Sequence, residues 1–316
     1  MRVAGVDCGT NSVRLLVADV DGGSAVQVHR EMQIVRLGQG VDRTGGLAPE
    51  AIERTRLALV DYARTCAGLG VEAVRMVATS ATRDADNRDD FVAMVRATLG
   101  VEPEVISGTQ EARLSFDGAT HDLDPAGGPF LVVDIGGGST EFVLGAAAAP
   151  DALQVDSLSV DVGCVRLTER HLIGDPPSPA QVTAAEADVD AALVAVKAVV
   201  PVEQARTAIG LAGSVTTVAA LALGLEAYDP ERIHLARVPA DELLDACGRL
   251  LAMTREQRAA LPFMHPGRVD VIGAGALVLA VVVDRLGLDA LTVSESDILD
   301  GITRSVPARH ATRRQT

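Results

Sequence analysis

The spacing of apolar and polar positions predicts strands first and helices afterwards, in two successive rounds. In "VAGVDCGTNSVRLLVADV" an apolar run ends at Asp7, a small polar turn follows, and a second apolar run begins after Ser12. This pattern predicts strands near 2–7 and 13–20, with a third near 25–36. A helix follows from Pro49 through about Ala67, opened by "LAPEAIERT" with its proline at the first helical position. Then come a strand at 72–77, a helix after Asp86, a short strand at 103–106 and a helix across "GTQEARLSF". The second round predicts strands at 130–134, 139–145 and 153–160, then a helix carrying "VRLTERH". A long alanine-rich helix follows the Pro-rich "GDPPSP", and a strand at 205–211 leads into "AGSVTT". Helices are expected to dominate the rest, the last at roughly 296–307. The Gly/Pro-rich "HDLDPAGGP", 121–129, marks the junction. It divides the chain into domains 1–122 and 123–299, with a C-terminal helix of about 300–316 free to return to the first.

Each round opens on the same device. Asp7, Gly9 and Ser12 recur with identical spacing as Asp134, Gly136 and Ser139 in "VVDIGGGSTEFVL". Each copy reads as a β-hairpin whose turn lets backbone amides approach a ligand closely, the usual setting for phosphate. One glycine-rich hairpin alone is ordinary structure. Two matched copies, one opening each half, imply two similar domains facing each other across a cleft, each offering a phosphate loop.

Composition narrows the ligand. The chain has 316 residues, 48% hydrophobic and 22% charged, an ordinary globular balance with room for two cores. Its formal net charge of −15 argues against nucleic acid or a membrane surface as partner. A polyanion is then held only where cations gather locally or a divalent metal supplies charge. Lys197 is the only lysine, and it sits in "LVAVKAVV", which excludes a Walker-type loop. "GAGAL" at 273–277 lacks the third glycine of a dinucleotide fingerprint and reads as close helix packing. The longest apolar run, Val271–Val283, is too short to span a bilayer, and no basic-then-apolar leader opens the chain. Cys8, Cys66, Cys164 and Cys247 lack metal-like spacing and fit reduced thiols in the cytoplasm. His121 and Asp122 stand without further histidine partners and suggest no metal site.

Hairpins followed by alternating helices and strands, twice over, match the architecture shared by actin, sugar kinases and heat-shock chaperones. The expected fold class is therefore α/β, with two actin-like (ribonuclease H-like) domains flanking a cleft. Within that group "VDCGTNSVRLLVADV", "MVATSATRDADN", "EVISGTQEARLSF", "VVDIGGGSTEFVL", "VGCVRLTERH", "GLAGSVTT" and "RVDVIGAGALVL" resemble the ordered motifs of exopolyphosphatases and guanosine pentaphosphate phosphohydrolases. The series runs through nearly the whole chain.

The resemblance implies roles for individual residues. An arginine in a polar loop is ordinarily a solvated charge; the resemblance makes Arg83 a phosphate ligand, which its planar fork suits. Glu111, in the first turn of its helix, is implied as the general base that activates water. The family usually has two adjacent glutamates here, whereas this chain has Gln110 and then Glu111. Asp134 is the expected ligand of Mg²⁺ or Mn²⁺, Glu141 a second ligand or water-positioning group, and Asp7 an outer-shell partner. Amides of Gly9, Thr10, Asn11, Gly136, Gly137 and Gly138, with the Ser12 and Ser139 hydroxyls, are expected to cradle phosphates. The implied activity is release of terminal orthophosphate from inorganic polyphosphate. Short chains are expected to be preferred, since the chain stops at Thr316 and its charge repels a free tail. Guanosine pentaphosphate is the alternative substrate, with a nucleotide platform near "GLAGSVTT". An actin-like kinase and a non-catalytic polyphosphate or alarmone sensor also stay open. A homodimer is expected.

Overall fold

The computed structural model describes residues 1–21, 24–146 and 154–313, the side chains of 307–313 excepted. The chain forms two compact units, Met1–Gly118 with Ile298–Thr316, and Ala119–Asp297.

In the first unit, strands β1 (Arg2–Cys8), β2 (Ser12–Asp21) and β3 (Ser24–Ile34) run as an antiparallel meander. Helices α1 (Val41–Thr44) and α2 (Pro49–Gly68) follow, then β4 (Ala73–Ala78), α3 (Ser80–Asp84), α4 (Arg88–Leu99), β5 (Glu104–Val105) and α5 (Gly108–Thr120). The sheet order is β3-β2-β1-β4-β5, with β4 parallel to β1. Alternate residues of the central strand feed two different cores. Ala4, Val6 and Cys8 pack with Leu59 and Tyr62 of α2 and Phe91 and Val95 of α4. Val3, on the opposite face, packs with Val306 of the C-terminal helix Ile298–Arg313.

The second unit repeats the plan. Strands β6 (Phe130–Ile135), β7 (Thr140–Gly145) and β8 (Val155–Val160) form the meander, followed by α6 (Cys164–Arg170), α7 (Pro179–Val199) and β9 (Thr207–Leu211). Then come α8 (Ala212–Ala222), α9 (Pro230–Ile233), β10 (Arg237–Pro239), α10 (Ala240–Ala252), α11 (Arg255–Ala259), α12 (Ile272–Leu286) and β11 (Ala290–Val293); the C-terminal helix is α13. Read from its meander edge, this sheet runs β8-β7-β6-β9-β11-β10, the order of the first sheet with β10 added. Every residue of β6 and β7 is buried, so apart from Asp134, Thr140 and Glu141 these strands read as apolar runs rather than alternation.

The predicted strands and long helices agree with these elements to within a few residues. The start of the strand expected at 153 lies outside the described residues. Two differences are substantive. The last third, where helices are expected to dominate, also contains β10 and β11, whose three and four residues are too short to display a strand period. The polar turn expected before Arg83 is instead the helix α3. The "GAGAL" segment is helix packing within α12, where Gly275 lies against Ser214 of α8. No helix among the described residues is long and apolar enough to cross a membrane.

Gly5, at the middle of β1, lets α13 approach. A β-carbon there would collide with Thr303 Oγ1 and lie 3.1 Å from the Thr303 backbone nitrogen. Gly5→Ala is therefore expected to destabilise the protein by about 1–3 kcal/mol, read as a lower denaturant midpoint. Adding Thr303→Ala should recover part of the loss, because the hydroxyl is removed while the backbone contact stays. An unchanged midpoint for Gly5→Ala would refute this packing account.

Candidate active site

The two hairpin turns are closed in the same way. Gly9 N–H donates to Ser12 O at 2.9 Å, and Gly136 N–H donates to Ser139 O at 3.0 Å. In each turn the carbonyls after that glycine are claimed by a neighbouring segment. Thr10 O accepts from Gly38 N–H at 2.8 Å, and Asn11 O accepts from the N–H groups of Val35 and Arg36 at 3.0 and 2.8 Å. Arg36 holds this position with a φ of 50°, left-handed backbone uncommon for a residue with a β-carbon. In the second turn Gly136 O accepts from Cys164 N–H at 3.0 Å, and Gly137 O accepts from Val165 and Arg166 N–H at 2.8 and 3.1 Å. Arg166 Nε donates to Gly138 O at 2.8 Å. The amides of Thr10, Asn11, Gly137 and Gly138 have no acceptor among the described residues. Two successive amides without an acceptor, at a turn whose carbonyls are engaged elsewhere, make a receptor for an anionic oxygen.

Carboxylates lie at the feet of both turns. Asp7, at the end of β1, is opposite Arg14 in the β1–β2 register and accepts from Arg14 Nη2 at 2.6 Å and Nε at 2.9 Å. Asp134, the penultimate residue of β6, lies opposite Glu141 on β7. Directly opposed residues share a sheet face with β-carbons about 5 Å apart. Both side chains are buried, and Glu141 also accepts from Ser159 Oγ at 2.7 Å. Among the described residues no three His, Cys, Asp or Glu side chains gather as a metal cage. Asp134 and Glu141 come together within one unit, while Asp7 is committed to Arg14.

Arg83 and Glu111, assigned separately on sequence, are partners. Arg83 Nη1 donates to Glu111 Oε2 at 3.0 Å and to Ile106 O at 3.0 Å. Arg83 is thus not the solvated charge a polar loop would hold; its side chain is 25% exposed. Gln110 does something different from its neighbour. Its Oε1 accepts from Ser107 N–H at 3.0 Å while Ser107 Oγ accepts from Gln110 N–H at 3.3 Å, a reciprocal capping box at the start of α5. An amide fills that position as well as a carboxylate would. Glu111 is buried and Gln110 exposed, so of the adjacent pair only Glu111 is held against a cation.

Three contributors carried no role in the sequence reading. Arg14 was legible in principle, since a tight hairpin sets it across from Asp7. Arg166 lies in the quoted "VGCVRLTERH", but only its bond to Gly138 O shows what it does. Ser80 bonds Thr10 through their hydroxyls at 2.8 Å, a contact between residues 70 positions apart. The cysteines near the turns are no nucleophiles: burial, with the Asp7 charge beside it, pushes the Cys8 thiol up, and burial likewise raises Cys164. All four cysteines are buried and unpaired.

A family model described as the Ppx/GppA phosphatase family matches residues 16–310. The chain belongs to the Ppx/GppA phosphatase family. It is 55% identical to a protein named exopolyphosphatase 2 from Mycobacterium tuberculosis, over 96% of this chain and 98% of that one. Among solved structures, an exopolyphosphatase-like protein superposes with a TM-score of 0.93 at 41% identity, covering 100% of this chain and 99% of that chain. The Aquifex aeolicus member of the Ppx/GppA family gives 0.80 at 30% identity, with the same coverage. The two Ppx/GppA units carry the actin-like α/β fold that the repeated sheet order describes.

The second turn depends on a close approach by the segment leading into α6. A β-carbon on Gly163 would collide with the Gly137 carbonyl and lie 2.7 Å from Gly138 N. Gly163 has an extended φ of −159°, so the collision rather than backbone strain sets the cost of a side chain. Gly163→Ala should weaken binding of inorganic tripolyphosphate by about tenfold, the equivalent of roughly 1.4 kcal/mol, well within the cost of overpacking. Calorimetric titration of both proteins measures it; equal affinities would show that the turn geometry does not matter for anion binding.

Proposed function

We propose that this Ppx/GppA phosphatase is an exopolyphosphatase, hydrolysing the terminal phosphoanhydride bond of inorganic polyphosphate. The observation that carries the reading is the pair of matched turns, each with two backbone amides lacking an acceptor among the described residues. They are receptors for phosphate oxygens that need no lysine and no favourable global charge. Each unit has its own set of candidate groups. The first holds the turn Gly9–Ser12, Arg83 and Glu111; the second holds the turn Gly136–Ser139, Asp134 and Glu141.

In this mechanism a water oxygen attacks the terminal phosphorus, the P–O bond to the next phosphate breaks, and orthophosphate leaves with a chain one unit shorter. Glu111 takes the water's proton at its carboxylate. The turn amides bind phosphate oxygens and hold the chain in line for attack, which is most of what such a reaction asks of a protein. Asp134 and Glu141 fit a divalent ion, because Mg²⁺ usually takes one or two carboxylates and leaves its other positions to water and phosphate oxygens. When bound, the ion neutralises charge that develops on those oxygens.

Inorganic polyphosphate is favoured over guanosine pentaphosphate by what occupies "GLAGSVTT". Gly213 lies against the Arg268 guanidinium and Ser214 against Gly275, so its small residues serve internal packing. Four buried, unpaired thiols suit a reducing cytoplasm. The homodimer is a further proposal, checked by light scattering.

A phosphate-release assay offering short polyphosphate, long polyphosphate, guanosine pentaphosphate and ATP side by side tests the reading. Polyphosphate should be turned over fastest, and no release from it would end this assignment. Glu111→Gln should lower kcat by roughly a hundredfold or more with KM largely kept; near-normal turnover in the folded variant would remove Glu111 as the base. Asp134→Asn should raise the Mg²⁺ concentration needed for half-maximal rate, since a hard oxygen ligand is weakened without a change of volume. An unchanged requirement would take Asp134 out of the ion's coordination.

A further inference from the structure

We infer that Arg83 is the positioning residue for Glu111, setting the base with one guanidinium nitrogen while offering its other edge to the terminal phosphate. The inference rests on the exopolyphosphatase reading and adds to it how the base and the phosphate are brought into register.

Both acceptors of Arg83 among the described residues are reached from one atom, Nη1, which donates to Glu111 Oε2 and to Ile106 O, each at 3.0 Å. Nε and Nη2 have no acceptor among the described residues. The Nε/Nη2 edge is one of the parallel forks that engage carboxylate and phosphate through two hydrogen bonds. Arg83 is therefore half committed. Nη1 ties it to Glu111 and to the end of the loop before α5, and the remaining edge matches a phosphoryl group.

The location of Arg83 is set by the helix that carries it. At the first residue of α3, Ser80 bonds Thr10 of the phosphate turn; at its fourth, Arg83 bonds Glu111. Gly38 closes the same cluster, because a β-carbon there would collide with Thr10 Cγ2 and lie 3.0 Å from Ala81 Cβ. Turn, short helix and base thus form one continuous run of contacts inside the first unit. A phosphate on the turn and on the free edge of Arg83 is held at a fixed offset from the Glu111 carboxylate. A water bonded to Glu111 then meets the phosphorus without a search, which is how a positioning group contributes to rate. Glu111 is also buried, with the Arg83 guanidinium as the cation against it.

A double-mutant cycle separates this role from simple phosphate binding. Arg83→Ala should lower kcat about 30-fold and raise KM about tenfold on short polyphosphate. If Arg83 acts on kcat through Glu111, adding Arg83→Ala to Glu111→Gln should lower kcat by no more than about threefold further, while KM still rises tenfold. Arg83→Lys, a point charge without the fork, should restore most of kcat and little of KM. Far-ultraviolet circular dichroism and melting temperatures establish that each variant is folded, and Arg83→Lys carries the test if Arg83→Ala is not. Additive losses of kcat in the cycle, or a lysine variant that recovers KM but not kcat, would overturn the positioning role. Those outcomes leave the proposed function standing, whereas no phosphate release by the unsubstituted protein would overturn both.

Discussion

The proposed chemistry of this chain depends on where five backbone carbonyls go. A turn between buried strands must satisfy its carbonyls and amides, and an intramolecular partner for each is the common outcome. Here the loop after β3 takes the carbonyls of Thr10 and Asn11, and the segment entering α6 takes those of Gly136, Gly137 and Gly138. Such bonding holds the turns rigid while leaving successive amides for a ligand. The close contacts at Gly38 and Gly163 serve the same end, since each lets a neighbouring backbone come near enough to reach the turn. Mutating the supporting segments should therefore disturb binding without touching any group proposed to meet phosphate.

The adjacent residues Gln110 and Glu111 show how one helix end divides its tasks. The capping box uses only the acceptor oxygen of residue 110, so a neutral amide suffices and the helix start is preserved. Residue 111 lies one position on, about 100° around the helix, where it meets Arg83 rather than solvent. The departure from a paired-glutamate pattern thus falls on the capping position and leaves the cation-held carboxylate intact.

Much of the fold was legible because it is written in long, strongly patterned segments. The repeated Asp-x-Gly-x-x-Ser spacing marked both hairpins, and the helix at Pro49–Gly68 announced itself through its opening proline. β10 and β11 were not legible, because a three-residue edge strand and a four-residue strand among helices carry too little pattern. The site followed the same rule. Residues inside the repeated turns could be named from spacing alone, and Gln110 could have been recognised as a cap from Ser107-x-x-Gln110. The bonds Thr10–Ser80, Arg83–Glu111 and Arg166–Gly138 depend on which strands lie side by side, and no local pattern reports that.

The net charge of −15 and an anionic ligand are reconciled by distance. Screening limits the reach of a surface carboxylate to about 8 Å at physiological ionic strength, so the acidic exterior acts mainly on the approach of substrate. Affinity at the turns is decided by groups in contact. Arg14, Arg83 and Arg166 are each anchored at or near a turn by at least one specific acceptor. An arginine held in this way has already lost much of its conformational freedom before a ligand arrives, and ordering it costs little at the moment of binding. The same anchoring limits how much charge each arginine can still offer. Arg14 is spent on Asp7, Arg166 is tied to a carbonyl, and Arg83 retains an unengaged edge. In the proposed function, recognition of phosphate falls first on oriented amides and one half-committed guanidinium, an arrangement that an acidic protein can sustain without a basic patch.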